Sequence, residues 1–243
     1  AACLLPVLAG ALIPVLMLGT MAIDSGQTLM SERYLSLIQN SITVAAIAAV
    51  VTVIGAVMIG LRARANPGWL SRVVVLAAGL GYAVPGGVIA VGLLVPFATF
   101  DNLVDSFMES RFGIDTGLLI TGSIWLLVLA YLTRFMAAAL NAFESGLATV
   151  PATFDVVGRS LGQDWPRVVR RVHLPMTRTS LLTALLIVFV DVMKELPATL
   201  ILHPFDFQTL AVQAYRLAAD ERLTEAAVPS LVLVGFGLLP VIL

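Results

Sequence analysis

The sequence predicts an all-α polytopic membrane protein, and two observations carry that prediction. Hydrophobic residues make up 59% of the 243 residues and charged residues only 12%, against about 25% charged in an average soluble domain. The apolar residues also gather in long runs, each near the roughly 20 residues that a helix needs to cross a bilayer. Backbone polar groups inside lipid must pair within their own segment, so these runs form helices, and they lack the strand alternation of a barrel.

Six runs qualify, at roughly 1–23, 38–61, 73–96, 117–140, 179–202 and 226–243. The first has no basic flank of the kind that precedes a cleavable signal peptide. It starts without Met, and the last run stops without a polar anchor, so the chain reads as one six-helix unit, 1–243, of a longer protein. The single cysteine, Cys3, has no partner for an internal disulfide and reads as a small apolar residue of the first helix. The net charge of −1 gives no positive ground for a nucleic-acid partner, and none is expected.

Arg and Lys accumulate in cytoplasmic loops. One alternating set of loops, 62–72 and 134–178, holds Arg62, Arg64, Arg72, Arg134, Arg159, Arg167, Arg170, Arg171 and Arg178. The other set, 24–37, 97–116 and 203–225, holds Arg33, Arg111, Arg216 and Arg222, with Asp24, Glu32, Asp101, Asp105, Glu109, Asp115, Asp206, Asp220, Glu221 and Glu225. The bias places 134–178 in the cytoplasm, and with it the start of the first helix and the end of the sixth. The acidic outer loops could dock a soluble partner, attract cations, or present solvated faces.

The loop 141–178 carries an ordered pattern. Pro151 suits the first turn of a helix. Phe154, Val157 and Leu161 then form one apolar stripe, and Gly162 can end the helix in a left-handed conformation. Asp164 offers an N-cap with Pro166 in the next first turn, so a second helix returns toward the membrane at Leu174-Pro175. A short helix with one apolar face fits the groove of a partner, with Trp165 as a further anchor. Lying on the membrane or on its own bundle is the alternative, and spacing alone leaves both open.

The loop resembles that of type I importer permeases of the ABC superfamily. Their pattern is Glu-Ala-Ala, three residues, Gly, nine residues, Ile-x-Leu-Pro; here Val156-Val157-Gly158, Gly162 and Val172-His173-Leu174-Pro175 stand at those spacings. Glu-Ala-Ala itself is missing, and Asp155 is the nearest acid. Asn40-Ser41, Gly81-Tyr82-Ala83-Val84-Pro85-Gly86, Asp191 through Thr199, Phe205 through Leu210 and Glu221 through Ala227 extend the resemblance over about 38–243 and point to the ferric-iron branch. Thiamine and phosphonate permeases are close relatives. The resemblance implies a bacterial plasma-membrane permease whose cytoplasmic coupling helix, between helices 4 and 5, docks on ABC ATPase subunits. A solute-binding protein and a second permease half or copy complete the assembly within membrane lipids. The docking set is then Phe154, Asp155, Val157, Gly158, Leu161, Gly162, Trp165, Leu174 and Pro175, with ferric iron as cargo and thiamine, a phosphonate or another small solute as alternatives.

Asp191, Lys194 and Glu195 lie inside the fifth run. Each ionised group at the bilayer centre costs at least about 2.5–3.5 kcal/mol. Spacing lets Asp191 pair with Lys194 at i+3 and places Glu195 on the same face as Asp191, with one net negative charge. These groups line a translocation path or gate, or else lock this helix to a neighbour. A path would offer transient carboxylate contacts rather than a tight metal site. Pro197 frees a backbone carbonyl at about Met193. Pro85-Gly86-Gly87 either kinks the third helix or forms a hinge near the path, and Gly79 and Gly81 permit close helix packing. His173 and His203 fall on opposite sides of the membrane, the first capping or solvating the loop and the second marking a helix end.

No phosphate-binding Gly-x-x-x-x-Gly-Lys-Ser/Thr motif is present and Lys194 is the only lysine. ATP therefore belongs to a partner subunit, and this chain is expected to be a transport subunit without a cofactor, not an enzyme. Intramembrane proteolysis needs a Ser–His pair or two Asp residues at depth, and only Asp191 qualifies; His-Glu-x-x-His is absent. A membrane anchor or assembly factor is the remaining rival, which deletion of 151–165 would separate from a permease.

Overall fold

A computed structural model of the chain describes residues 4–27 and 31–242. Cys3 lies outside the described residues. In chain order the helices are α1 (Leu4–Val7), α2 (Ile13–Asp24), α3 (Glu32–Ala65), α4 (Trp69–Leu80), α5 (Gly86–Phe112), α6 (Ile124–Leu147), α7 (Thr153–Ser160), α8 (Trp165–Val168), α9 (Leu174–Met176), α10 (Arg178–Met193), α11 (Pro197–Leu202), α12 (Leu210–Ala219) and α13 (Leu223–Ile242). Wider π-helical turns occupy Leu8–Leu12 and Val169–His173, and no strand occurs among the described residues.

The protein is an all-α polytopic membrane protein. Among the described residues three helices, α3, α5 and α6, are long and apolar enough to cross a membrane alone. Trp165–Met176 and Arg178–Met193 pass together, but only across a 73° bend. Leu8–Asp24, Trp69–Leu80 and Leu223–Leu238 are shorter apolar helices. The expected runs are largely helical among the described residues, but 73–96 and 179–202 are interrupted and 117–140 is helical only from Ile124, so six continuous spans are not seen.

The expected third span, 73–96, is divided between α4 and α5. Pro85 disfavours helix in the residue before it and stands as the N-cap of α5, with ψ 138°. The expected fifth span, 179–202, is divided as well. Pro197 has no N–H for the carbonyl of Met193, so α10 stops there and the proline opens α11 at its first position. The sequence suggested one freed carbonyl; the structure interrupts the helix over 194–196.

Two boundaries also move. Residues 97–112, expected as outer loop, continue α5 until Gly113 closes it with φ +64°. Arg134, counted with the cytoplasmic loop, lies in the middle of α6, so the charge bias falls from nine against four to eight against four and keeps its sign. Two outer acids are structural. The buried Asp101 accepts the N–H groups of Ile120 at 3.1 Å and Thr121 at 2.7 Å, and Asp105 accepts those of Thr116 at 2.8 Å and Gly117 at 2.9 Å. They hold the turn after α5 instead of facing a partner.

The core lies where α3, α6 and α10 pack together. The buried face of α3 is small, with Ala45, Ala48, Ala49, Thr52, Ala56 and Gly60, so backbones approach closely as membrane helix packing requires. Against it stand large side chains of α6, with Met136 over Gly55 and Leu140 and Phe143 over Gly60. α13 packs between α2 and α12.

Gly81 and Gly79, grouped together from sequence, differ. A Cβ at Gly81 would overlap the backbone carbonyl of Thr133 on α6, whereas one at Gly79 meets nothing within 4 Å. Backbone cannot swing aside as a side chain does, so Gly81→Ala is expected to cost about 1–3 kcal/mol. Thermal unfolding in detergent should show a lower Tm for Gly81→Ala and an unchanged Tm for Gly79→Ala. Equal values for the two variants contradict the packing assigned to Gly81.

Candidate functional site

The loop between α6 and α10 forms a helix, a turn and a return. Helix α7 starts two residues later than Pro151 suggested, with Ala152 at its N-cap. Pro151 stays outside, where its carbonyl accepts the N–H of Phe154 at 3.2 Å. Gly162 ends the unit at φ +68°, a left-handed conformation with little cost for glycine. Asp164 occupies the next N-cap position, but its side chain caps no N–H, and Pro166 lies in the first turn that follows.

The outer face of α7 is apolar and uncovered. Phe154 is 42% exposed, Val157 50% and Leu161 71%. Val156, at 63%, widens the predicted stripe. The inner face is tied down by one buried residue, Asp155. Its carboxylate meets Arg64 Nε at 2.8 Å and, on the other oxygen, His173 Nε2 at 2.8 Å. The contact with histidine lacks hydrogen-bond alignment and is a close polar packing contact. Arg64, at the end of α3, also donates to the carbonyls of Leu147 at 2.9 Å, Val150 at 2.9 Å and Pro151 at 3.2 Å. One guanidinium thus joins the last carbonyl of α6 to two carbonyls of the segment after it and holds α7 to the bundle.

The returning arm closes the unit. Trp165, half-buried, packs at a tilt against His173 with ring centroids 5.4 Å apart, so it supports the loop more than it projects from it. His173 is fully buried rather than solvated. Burial lowers its pKa below 6.5, an effect that the facing Asp155 opposes and Arg64 reinforces, so the ring is neutral at pH 7. Gly158 lets the arms touch, since a Cβ there would stand 2.7 Å from Val168 Cγ2. Leu174 is half-buried and Pro175 exposed, just before the 73° bend into α10.

The membrane charges do not form the single cluster expected from spacing. Lys194 Nζ pairs with Asp191 Oδ1 at 2.8 Å, at i+3. Because α10 ends at Met193, Glu195 turns away from Asp191 and is buried against Arg134, with Nε to Oε2 3.1 Å. Two neutral pairs replace one net negative charge. Arg134 Nη1 also donates to the carbonyl of Val84, 2.9 Å away, in the break between α4 and α5. Pro85 opens that break, and at Gly86 a Cβ would overlap Glu195 Oε1. Pro197 begins the facing segment, where Tyr131 Oη and Thr199 Oγ1 are 2.6 Å apart and Thr199 Oγ1 donates to the Glu195 carbonyl at 2.6 Å. Among the described residues no three of His, Cys, Asp or Glu gather as a metal site. Sequence reasoning missed Arg134; its signal is a lone arginine among apolar neighbours from Ile124 to Leu140.

Removing Arg64 leaves Asp155 buried without its cation, which costs about 3–5 kcal/mol in such pairs. Arg64→Ala should therefore release α7, seen as faster amide hydrogen exchange over 153–176 with α3 and α6 still protected. Unchanged exchange contradicts the brace. Falling pH acts in the same direction. A folded-state pKa below 6.5 means that stability is present above 6.5 and is lost as pH falls below it, so the protection of the loop amides, relative to their intrinsic exchange at each pH, should fall between pH 7 and 5, and less so in His173→Gln.

Comparison with known proteins adds to this geometry. Residues 56–243 match the family described as binding-protein-dependent transport system inner membrane component. The chain is 27% identical over 216 residues to the Fe(3+)-transport system permease protein FbpB 2 of Haemophilus influenzae, covering 87% of this chain and 39% of that protein. It is 28% identical over 172 residues to the putative 2-aminoethylphosphonate transport system permease protein PhnV of Salmonella typhimurium, covering 70% of this chain and 57% of that one. The chain spans less than two thirds of the length of either relative. Its fold matches a chain in the crystal structure of a bacterial alginate ABC transporter in complex with alginate pentasaccharide-bound periplasmic protein, with TM-score 0.74, 14% identity and coverage of 98% of this chain and 91% of that chain. With residues 56–243 matched, the chain belongs to the binding-protein-dependent transport system inner membrane component family, as a multi-pass inner-membrane protein.

Proposed function

We propose that this chain is the permease part of an ATP-driven importer, and that α7 with Gly162 is the surface on which an ATPase subunit docks. The carrying observation is a short helix, apolar and uncovered outside, whose inner face is fixed to α3 by Arg64 and Asp155. An apolar helix face held rigidly on a membrane protein suits a groove in a partner, and its rigidity lets a push on the helix move the bundle. Asp155, the nearest acid to the missing Glu-Ala-Ala, points inward and is not available to the partner. Docking then rests on Phe154, Val156, Val157 and Leu161.

ATP is bound by the partner subunit, a solute-binding protein delivers cargo from the outer side, and a second permease half or copy completes the path. Rigid-body motion of the two halves would switch access from one side to the other. Asp191, Lys194 and Glu195 with the Pro85-Gly86 and Pro197 breaks would form the gate region. Ferric iron is our reading of the cargo, supported by the Asp191–Thr199 stretch and by the name of the Haemophilus relative. A phosphonate is the second reading, supported by the Salmonella relative.

Leu161→Asp places a charge on the exposed docking face without touching the bundle. It should abolish co-purification with the ATPase and its stimulation by loaded binding protein, with the Tm of the permease unchanged. Full stimulation in this variant contradicts docking through α7. For cargo, ferric-iron uptake that disappears on deletion of this gene supports the iron reading, and uptake that persists while phosphonate import is lost reverses it.

A further inference from the structure

We infer that Arg134 is a latch: it holds the two interrupted helices together in this conformer, and opening its ion pair with Glu195 is part of the gating step. The inference rests on the permease reading above and adds to it a residue and a local event.

Placement comes first. At about 1.5 Å per residue, Arg134 lies about 15 Å from the start of α6 at Ile124, well inside a helix apolar enough to span the membrane. Both of its partners sit at discontinuities. Glu195 is in the break between α10 and α11, and the carbonyl of Val84 is in the break between α4 and α5. A single side chain on an unbroken helix therefore ties two bends that are remote in sequence. Irregular backbone is where helix segments move relative to one another, so this tie controls motion in a way that a pair between two continuous helices does not.

Energetics point the same way. A charge inside a membrane helix is costly, and apolar residues of similar volume often stabilise as well as a buried ion pair or better. Stability alone is thus a weak reason to keep Arg134 and Glu195. The pocket is nevertheless shaped for the pair: Gly86 has no Cβ where one would collide with Glu195 Oε1, and Oε1 accepts the N–H of Ala198 at 3.4 Å, which holds the carboxylate over the start of α11.

The pair is also easy to open. Its nearest contact, Nε to Oε2 at 3.1 Å, lacks hydrogen-bond alignment, unlike a two-pronged guanidinium–carboxylate fork. Arg134 keeps 23% of its side chain exposed, whereas Glu195 keeps 7%. The latch is closed by charge and released by separating the breaks, which leaves Glu195 to be hydrated by the opened space.

The test uses the complete permease with its ATPase and binding protein in lipid nanodiscs. Hydrolysis is measured without and with loaded binding protein. Arg134→Gln should raise the unstimulated rate about fivefold, at the low end of couplings between sites, and so reduce the stimulation ratio. Arg134→Lys, which keeps the charge but cannot span both partners, should fall between. The exchange Arg134→Glu with Glu195→Arg should recover part of the ratio. A structural brace would lower the Tm and the yield of complex but leave the ratio alone, so a wild-type ratio in Arg134→Gln overturns the latch. Failure of both single variants to assemble also overturns it, because the pair is then needed for folding. The permease reading fails separately, by absence of stimulation in the wild-type complex.

Discussion

The geometry of the loop depends on one guanidinium. Arg64 stands at the end of the longest helix and meets a carboxylate and three carbonyls. Those carbonyls belong to the last residue of α6 and the segment after it, so one side chain gathers the whole turn. With them satisfied, α6 can stop at Leu147 and the chain can turn sharply into α7. Asp155 then faces inward, and the apolar side of α7 has only one direction left, outward. The exposure of Phe154, Val156, Val157 and Leu161 thus follows from a polar contact on the opposite side of the same helix.

A second polar contact organises the membrane interior in a parallel manner. Arg64 joins a helix end to a loop, and Arg134 joins two helix breaks. Both work because interrupted backbone offers carbonyls that a continuous helix does not. The prolines at 85 and 197 create those interruptions, and small residues at 81 and 86 let α6 and Glu195 approach them. Between the two sites runs α6, with Arg134 near its middle and its last carbonyl on Arg64. A displacement of the loop can therefore reach the breaks through one rigid helix.

Much of this was legible in the sequence and some was not. Local signals carried well: Gly162 gave the turn, the spacing of Phe154, Val157 and Leu161 gave the outer face, and Asp191 with Lys194 gave an i+3 pair. Contacts between distant residues did not. Arg64 and Asp155 are 91 positions apart, and no periodicity links them. Asp155 looked like a weak substitute for a partner-binding acid, and it is instead the buried end of a brace. Arg134 was placed in a loop because a basic residue near the end of an apolar run is most simply read as its boundary. Glu195 was placed beside Asp191 because helical spacing was extended through a helix that Pro197 stops. Gly79 and Gly81 carry the same letter, and only packing against Thr133 separates them.

The central claim is that the outer face of α7 meets an ATPase subunit, and contact is its most direct measure. A photo-crosslinking amino acid in place of Val157 can be activated in intact membranes and its adducts identified by mass spectrometry. The account predicts a major adduct to a soluble nucleotide-hydrolysing subunit, lost when that subunit is deleted. Adducts confined to lipid or to this chain's own helices would contradict it, because α7 would then lie on the membrane or the bundle.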